Sequence, residues 1–337
     1  APGELLSRCR AEVRPALVEA VGRLHPWLAE MAGYSFGWCE VGGGTSARPG
    51  GGKGVRQALA VLGAEAAGAP ARAGVPAAVA VELVHVFSLL HDDVMDGDAV
   101  RRQRPTVWRA YGTGPAVLAG DALFALAVET LACSERPAGG GGAVRLLSGA
   151  LGDLVRGQAE DLLFSSRPWS GGERVRPAEY REMAEGKTGA LLGCAAALGG
   201  VLGGAPAPAV AALDRAGRSM GIAFQLADDV LGLWGDPQVT GKPVHGDLRE
   251  GRKTYPVLAA LASPAPAARS LRTLLERDGD PEEAAALALE AGGRSAALAE
   301  ARRHLATART ALAEPALHAP AVRDLLALAG YCVERHQ

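Results

Sequence analysis

The stretch VAVELVHVFSLLHDDVMDGDAVRRQRPTVW (79–108) runs from an apolar helical segment straight into three aspartates, Asp92, Asp93 and Asp96, and then into an arginine pair, Arg101 and Arg102. Asp92 and Asp96, at i and i+4, share a helix face and repel by roughly a few tenths of a kcal/mol. The apolar run before them places this acidic end in or over a core. Carboxylates crowded in such a place stay ionised only beside a neutralising cation. An oxygen-only donor set, without Cys or His, suits Mg²⁺, which is held by one or two carboxylates plus phosphate oxygens. Arg101 and Arg102 would then face the phosphates. A solvated helix face is the plain alternative for an isolated DDxxD.

Composition narrows the classes. The chain has 337 residues, 48% of them hydrophobic, which is enough for one large core or two smaller ones. A formal net charge of −2 argues against a nucleic-acid partner. Cys9, Cys39, Cys133, Cys194 and Cys332 are odd in number and scattered, with no CxxC, as expected of reduced thiols in a cytoplasmic protein. Ala1–Arg10 lacks the apolar run of a secretion signal. The absence of a starting Met leaves room for further N-terminal sequence. The uncharged segment 189–213 is long enough to span a membrane, but it is built of Ala and Gly and broken by Pro206 and Pro208. Two core helices and no stable membrane insertion are expected from it.

Helix formers with apolar residues three and four apart fill 4–34, 73–96, 114–134, 143–165, 176–201, 208–234, 252–262, 282–292 and 294–313. Gly/Pro-rich punctuation falls at 41–54, 135–142, 165–173 and 235–243, and none of it is long enough for an interdomain linker. These features predict an all-α, single-domain helical bundle over 1–337.

A second acidic pair, Asp228 and Asp229, ends another apolar helical run in GIAFQLADDVLGLWGDPQVTGKPVHGDLREGRKTYPVL (221–258). Gln225 lies one turn earlier, and Lys242, Arg249, Arg252 and Lys253 follow. With GGKGVRQAL (51–59), LAGDALFALA (118–127), GQAEDL (157–162) and GKTGALL (186–192), the chain presents six ordered segments. In these the sequence resembles the trans-isoprenyl diphosphate synthases, the polyprenyl synthetase family, from about residue 51 to about residue 260.

The resemblance implies a bundle with a central substrate cavity and a short-chain all-trans synthase, a prenyltransferase acting on isopentenyl diphosphate and an allylic diphosphate. It implies about three Mg²⁺ ions, with Asp92 and Asp96 ligating two, Asp93 supporting them and Asp228 ligating a third beside Asp229. Arg101, Lys187, Thr188, Gln225 and Lys242 would hold the allylic diphosphate. Lys53, Arg56, His85 and Arg102 would hold that of isopentenyl diphosphate. The allylic C–O bond breaks, the second double bond attacks the cation, and a proton is lost to the departed diphosphate. Positive charge in a dry site stabilises that leaving group. The plain alternatives are loop solubilisers for Lys53 and Arg56, a core histidine for His85 and a helix cap over 188–201 for Thr188.

Two departures stand out. The second motif reads DDVLG, with Gly232 where the family usually has Asp, and Asp236 in GDP reads as a turn residue. The usual GKRLRP is altered at Gly54 and Gln57. A terpene synthase on the same fold could dispense with Lys53, Arg56, His85 and Arg102, and a non-catalytic subunit with the first acidic motif; all are present. Phe87 and Ser88, the fifth and fourth residues before Asp92, resemble the chain-length floor of a C20, geranylgeranyl, synthase rather than a C15, farnesyl, one. A homodimer is typical of the family. Some high-GC bacterial relatives are packaged in protein shells through N-terminal tails, on which the visible sequence is silent.

Overall fold

Pro26 starts a helix of its own. Where one helix was expected over 4–34, the chain forms α1 (Pro2–Gly22) and α2 (Pro26–Phe36), because proline suits a first turn and His25 caps it by accepting from the Trp27 N–H at 3.3 Å. The computed structural model describes residues 2–46, 54–134, 142–235 and 245–334, without the side chains of Cys332 and Glu334. Lys53, Asp236 and Lys242 therefore lie outside the described residues.

The remaining helices are α3 (Val55–Ala66), α4 (Val75–Asp96), α5 (Val107–Tyr111), α6 (Thr113–Ser134), α7 (Gly142–Ser166), α8 (Pro177–Ala184), α9 (Ala190–Leu202) and α10 (Ala207–Trp234). They are followed by α11 (Gly246–Arg249), α12 (Tyr255–Ala262), α13 (Pro266–Leu275), α14 (Pro281–Glu290), α15 (Gly293–Ala311) and α16 (Ala319–Glu334). The fold is all-α, as expected. α3, α13 and α16 had not been anticipated, and neither had a hairpin of β1 (Val100–Arg101) and β2 (Arg104–Pro105). The segment 189–213 is broken as predicted, into the whole of α9 and the start of α10.

The chain groups into two compact units. The first comprises Ala1–Ser148, Cys194–Asp214 and Glu314–Leu325; the second comprises Gly149–Gly193, Arg215–Ala313 and Leu326–Gln337. In the first, α4 packs along α6 and against α3. Ala77, Ala78, Ala80, Val81, Leu83 and Val84 are fully buried on α4 and form its packed apolar face. Small residues bring α3 and α9 into backbone contact: a Cβ on Gly199 would stand 2.0 Å from the Ala60 carbonyl oxygen. In the second unit, Phe164, Tyr180, Leu226, Tyr255 and Ala297 belong to one buried cluster, and Val257, Leu271 and Ala288 to another.

The close approach of α3 and α9 predicts that Gly199→Ala forces the two helices apart. The expected loss is about 1–3 kcal/mol, read by chemical denaturation with helix content unchanged. An unaltered unfolding midpoint would show that the contact is not tight.

Candidate active site

α4 delivers the first acidic pair with its two members in different surroundings. Asp92 is half-buried, Asp93 is only 3% exposed, and Asp96 is exposed where the helix ends on Gly97 in the left-handed conformation. Burial pushes the Asp93 carboxyl up from its usual range, and the Arg101 guanidinium opposes that by placing Nε and Nη2 each 2.7 Å from Oδ1. A buried carboxylate needs such a partner, since removing it would leave an uncompensated charge.

Arg101 is held in place by the hairpin. Val100 pairs with Pro105 and Arg101 with Arg104, leaving a two-residue turn at Arg102 and Gln103 with φ of 51° and 63°. Both are left-handed, as a tight hairpin turn demands. The Asp98 carbonyl accepts from Thr106 Oγ1 at 2.7 Å and from Trp108 Nε1 at 2.8 Å. Tyr34 donates its hydroxyl to the Pro105 carbonyl at 2.8 Å, and the Arg104 guanidinium lies 4.2 Å over the Tyr34 ring. The hairpin is thereby fastened to α2.

About two turns earlier on α4, around His85, three of the residues expected at isopentenyl diphosphate come together. Glu82 is buried, and burial raises its carboxyl against the opposing pull of Arg56, a hydrogen bond from Gln57, and the charges of Arg102 and Arg10. His85 is driven well below the usual imidazole range by burial first and then by Arg56, Arg102 and Arg101. His85 is thus neutral among guanidinium groups. Such a cluster suits an anion, for which a neutral imidazole supplies a directed hydrogen bond. Glu82, a lone acid in an apolar run, was the signal in the sequence that went unread.

Phe87 lies five residues before Asp92, about 7.5 Å down the helix axis at ~1.5 Å per residue. Its ring meets His91 edge-on at 4.8 Å and lies 5.5 Å from that of Phe124 on α6, so the expected floor is backed by a second aromatic. Ser88 turns its hydroxyl to the His85 carbonyl at 2.8 Å.

In the second unit the same division recurs. Asp228 is half-buried, whereas Asp229 is 4% exposed and accepts hydrogen bonds from three donors. These are the Tyr180 hydroxyl and the Tyr255 N–H at 3.0 Å on Oδ2, and Gln225 Nε2 at 3.0 Å on Oδ1. Burial lifts Asp229 to about 7; the Tyr180, Tyr255 and Gln225 hydrogen bonds oppose it and the Asp247 charge adds to it. With Nε2 committed to Asp229, Gln225 presents Oε1 to Thr188, whose hydroxyl donates at 2.9 Å.

Thr188 and Lys187 sit in a π-helical turn, Glu185–Gly189, inside an otherwise continuous run from α8 to α9. The helix cap that was the plain alternative for Thr188 is therefore not formed, because no helix begins there. A π-turn widens the helix and re-aims side chains, often at functional positions. Lys187 Nζ lies 2.6 Å from Asp161 Oδ2, and a Cβ on Gly157 would fall 2.2 Å from the Lys187 nitrogen, so α7 braces this turn closely. Asp161 and Tyr180 were not singled out from sequence; Asp161 lay in the quoted GQAEDL, while Tyr180 carries no local signal.

Among the described residues, no three His, Cys, Asp or Glu side chains are grouped so as to hold a metal ion by themselves. The donors at Asp92, Asp96 and Asp228 are all carboxylate oxygens, and a Cβ on Gly232 would meet Asp247 Oδ2 at 2.2 Å, so the bare backbone there seats another carboxylate. This fits Mg²⁺, which takes few protein carboxylates and completes its shell with phosphate oxygens and water.

The family model for polyprenyl synthetase matches residues 46–291. The chain is 44% identical to a geranylgeranyl diphosphate synthase of Mycobacterium tuberculosis, covering 96% of this chain and 91% of the relative. It is 43% identical to a (2E,6E)-farnesyl diphosphate synthase of Mycobacterium bovis, covering 96% and 90%. Its fold superposes on a polyprenyl synthetase from Streptomyces coelicolor with a TM-score of 0.91 at 44% identity, covering 99% and 100% of the two chains. A polyprenyl synthase from Caulobacter crescentus, complexed with calcium and isoprenyl diphosphate, matches with a TM-score of 0.83 at 28% identity over 100% and 98%.

Tyr180→Phe removes one of three donors to a buried carboxylate. It is expected to lower stability by about 1–3 kcal/mol in denaturant titration. A change within error would show that Asp229 does not depend on the phenol.

Proposed function

Because this chain belongs to the polyprenyl synthetase family, we propose that it condenses isopentenyl diphosphate with an allylic diphosphate, in the presence of Mg²⁺, to give the C20 product geranylgeranyl diphosphate. That it is a prenyltransferase follows from its family and relatives. The observation that carries the finer reading is on α4: an acidic pair at the helix end, a neutral His85 among guanidinium groups two turns before it, and Phe87 between them.

The residues divide the work as follows. Asp92, Asp96 and Asp228 would hold Mg²⁺, about three ions, whose charge absorbs that developing on the departing diphosphate. Arg101, Lys187 and Gln225 would orient the allylic diphosphate, with Lys187 exchanging Asp161 for phosphate oxygens. Thr188, its proton given to Gln225, offers lone pairs rather than a donor in the arrangement described. Arg56, His85 and Arg102 would orient isopentenyl diphosphate. The name of the Caulobacter complex supports both the divalent cation and the isoprenyl diphosphate.

Phe87, backed by Phe124, supports C20 by limiting the depth available to the growing tail. Relatives named for C20 and for C15 products match this chain at nearly the same identity, so the floor residues and not overall likeness carry the product length. We also propose a cytoplasmic homodimer. α6 supports the pairing, because an 18-residue stretch of it with mean hydropathy 1.8 is only 39% buried, with Val117, Leu118 and Phe124 exposed.

The purified protein, given farnesyl diphosphate and isopentenyl diphosphate with Mg²⁺, is expected to yield C20 diphosphate by mass, and Phe87→Ala to lengthen it. A C15 product from geranyl diphosphate with no further elongation would replace the C20 reading, and hydrocarbon without isopentenyl diphosphate would overturn the synthase. A neutral His85 predicts a KM for isopentenyl diphosphate without inflection between about pH 6 and 8. His85→Phe should raise that KM about tenfold while sparing the allylic KM. Equal changes in both would remove His85 from the assigned site.

A further inference from the structure

Gly232 follows Asp228 by four residues on α10, the position at which the sequence lacks a third carboxylate. A β-carbon built there would stand 2.2 Å from Asp247 Oδ2, 3.2 Å from its Cγ and 3.8 Å from Oδ1. The Asp247 carboxylate, carried by α11, therefore lies against bare helix backbone in the volume that a side chain at 232 would begin to fill. Its charge bears on the same pair: Asp229 and Tyr180 both feel it as an upward push. A glycine inside a long helix is destabilising relative to alanine, and here the methyl of an alanine would have to push the Asp247 carboxylate aside.

We propose that Asp247 supplies the third carboxylate of the second acidic cluster, and that Gly232 is the gap in α10 through which it reaches the divalent cation held by Asp228. The inference rests on the function proposed above. The missing ligand of the DDVLG motif is thus relocated from α10 to α11. Replacing Gly232 by the more usual aspartate would displace Asp247 rather than add to it. The cation concerned is a hard one, since two carboxylates and diphosphate oxygens make an oxygen-only shell.

The test uses the full chain, inorganic pyrophosphate at fixed concentration and a Mg²⁺ titration, reading the thermal unfolding midpoint, which rises as ligand binds the native state. Asp247→Asn is expected to raise the half-saturating Mg²⁺ by ~10-fold or more, the loss typical of removing a group that supports a metal site. Asp228→Asn is expected to do the same. Gly232→Ala should lower the ligand-free midpoint and raise half-saturation, because its methyl displaces Asp247. The exchange Gly232→Asp with Asp247→Gly should return half-saturation to within about threefold of the parent.

If Asp228→Asn shifts half-saturation while Asp247→Asn leaves it within about twofold, the inference is overturned and the proposed function stands. If neither shifts it, the proposed function fails with it. Should Asp247→Asn not fold, Gly232→Ala decides: an unchanged midpoint and half-saturation would show that Asp247 does not occupy the place assigned to it.

Discussion

In each acidic pair the second aspartate is buried and fully engaged, and this constraint fixes everything around the first. A carboxylate removed from water is costly unless hydrogen bonds and opposite charge replace its hydration. Asp93 meets that demand with Arg101, and Asp229 with Tyr180, Tyr255 and Gln225. Neighbours on a helix point about 100° apart, so seating Asp93 and Asp229 inward leaves Asp92 and Asp228 half-buried. Burial thus makes the second aspartate of each pair the anchor and leaves the first accessible.

The anchors also organise the cationic residues. Arg101 is positioned through Asp93, and the hairpin that carries it is tied by Asp98 and Tyr34. Gln225 is oriented through Asp229 and in turn sets the proton direction at Thr188. Lys187 reaches Asp161 from a π-turn that a tight Gly157 contact supports. Hydrogen-bond polarity thus runs inward to the buried acids. Substrate orientation of this kind lowers the barrier without chemistry by the protein.

Much of this was legible in the sequence where period and chemistry coincided. The apolar run of 79–90 leading into Asp92, and the matching run before Asp228, gave the two helices that carry the carboxylates. The hairpin was not legible, because Arg102 and Gln103 take left-handed turn positions that usually call for Gly or Asn. α3 was hidden behind a motif read as loop. Tyr180 and Asp161 act through contacts across 49 and 26 residues, which no local pattern reveals. Gly232 read as a lost ligand, and only the approach of Asp247 shows what fills its place.

The account stands most directly on a comparison of Asp92→Asn with Asp93→Asn in one assay of product formation against Mg²⁺ concentration, with unfolding midpoints measured alongside. It predicts that Asp92→Asn raises the Mg²⁺ requirement by ~10-fold or more and leaves the midpoint unchanged, while Asp93→Asn lowers the midpoint through loss of its buried ion pair with Arg101. The reverse pattern, with Asp93→Asn altering only the Mg²⁺ requirement and Asp92→Asn only stability, would contradict it.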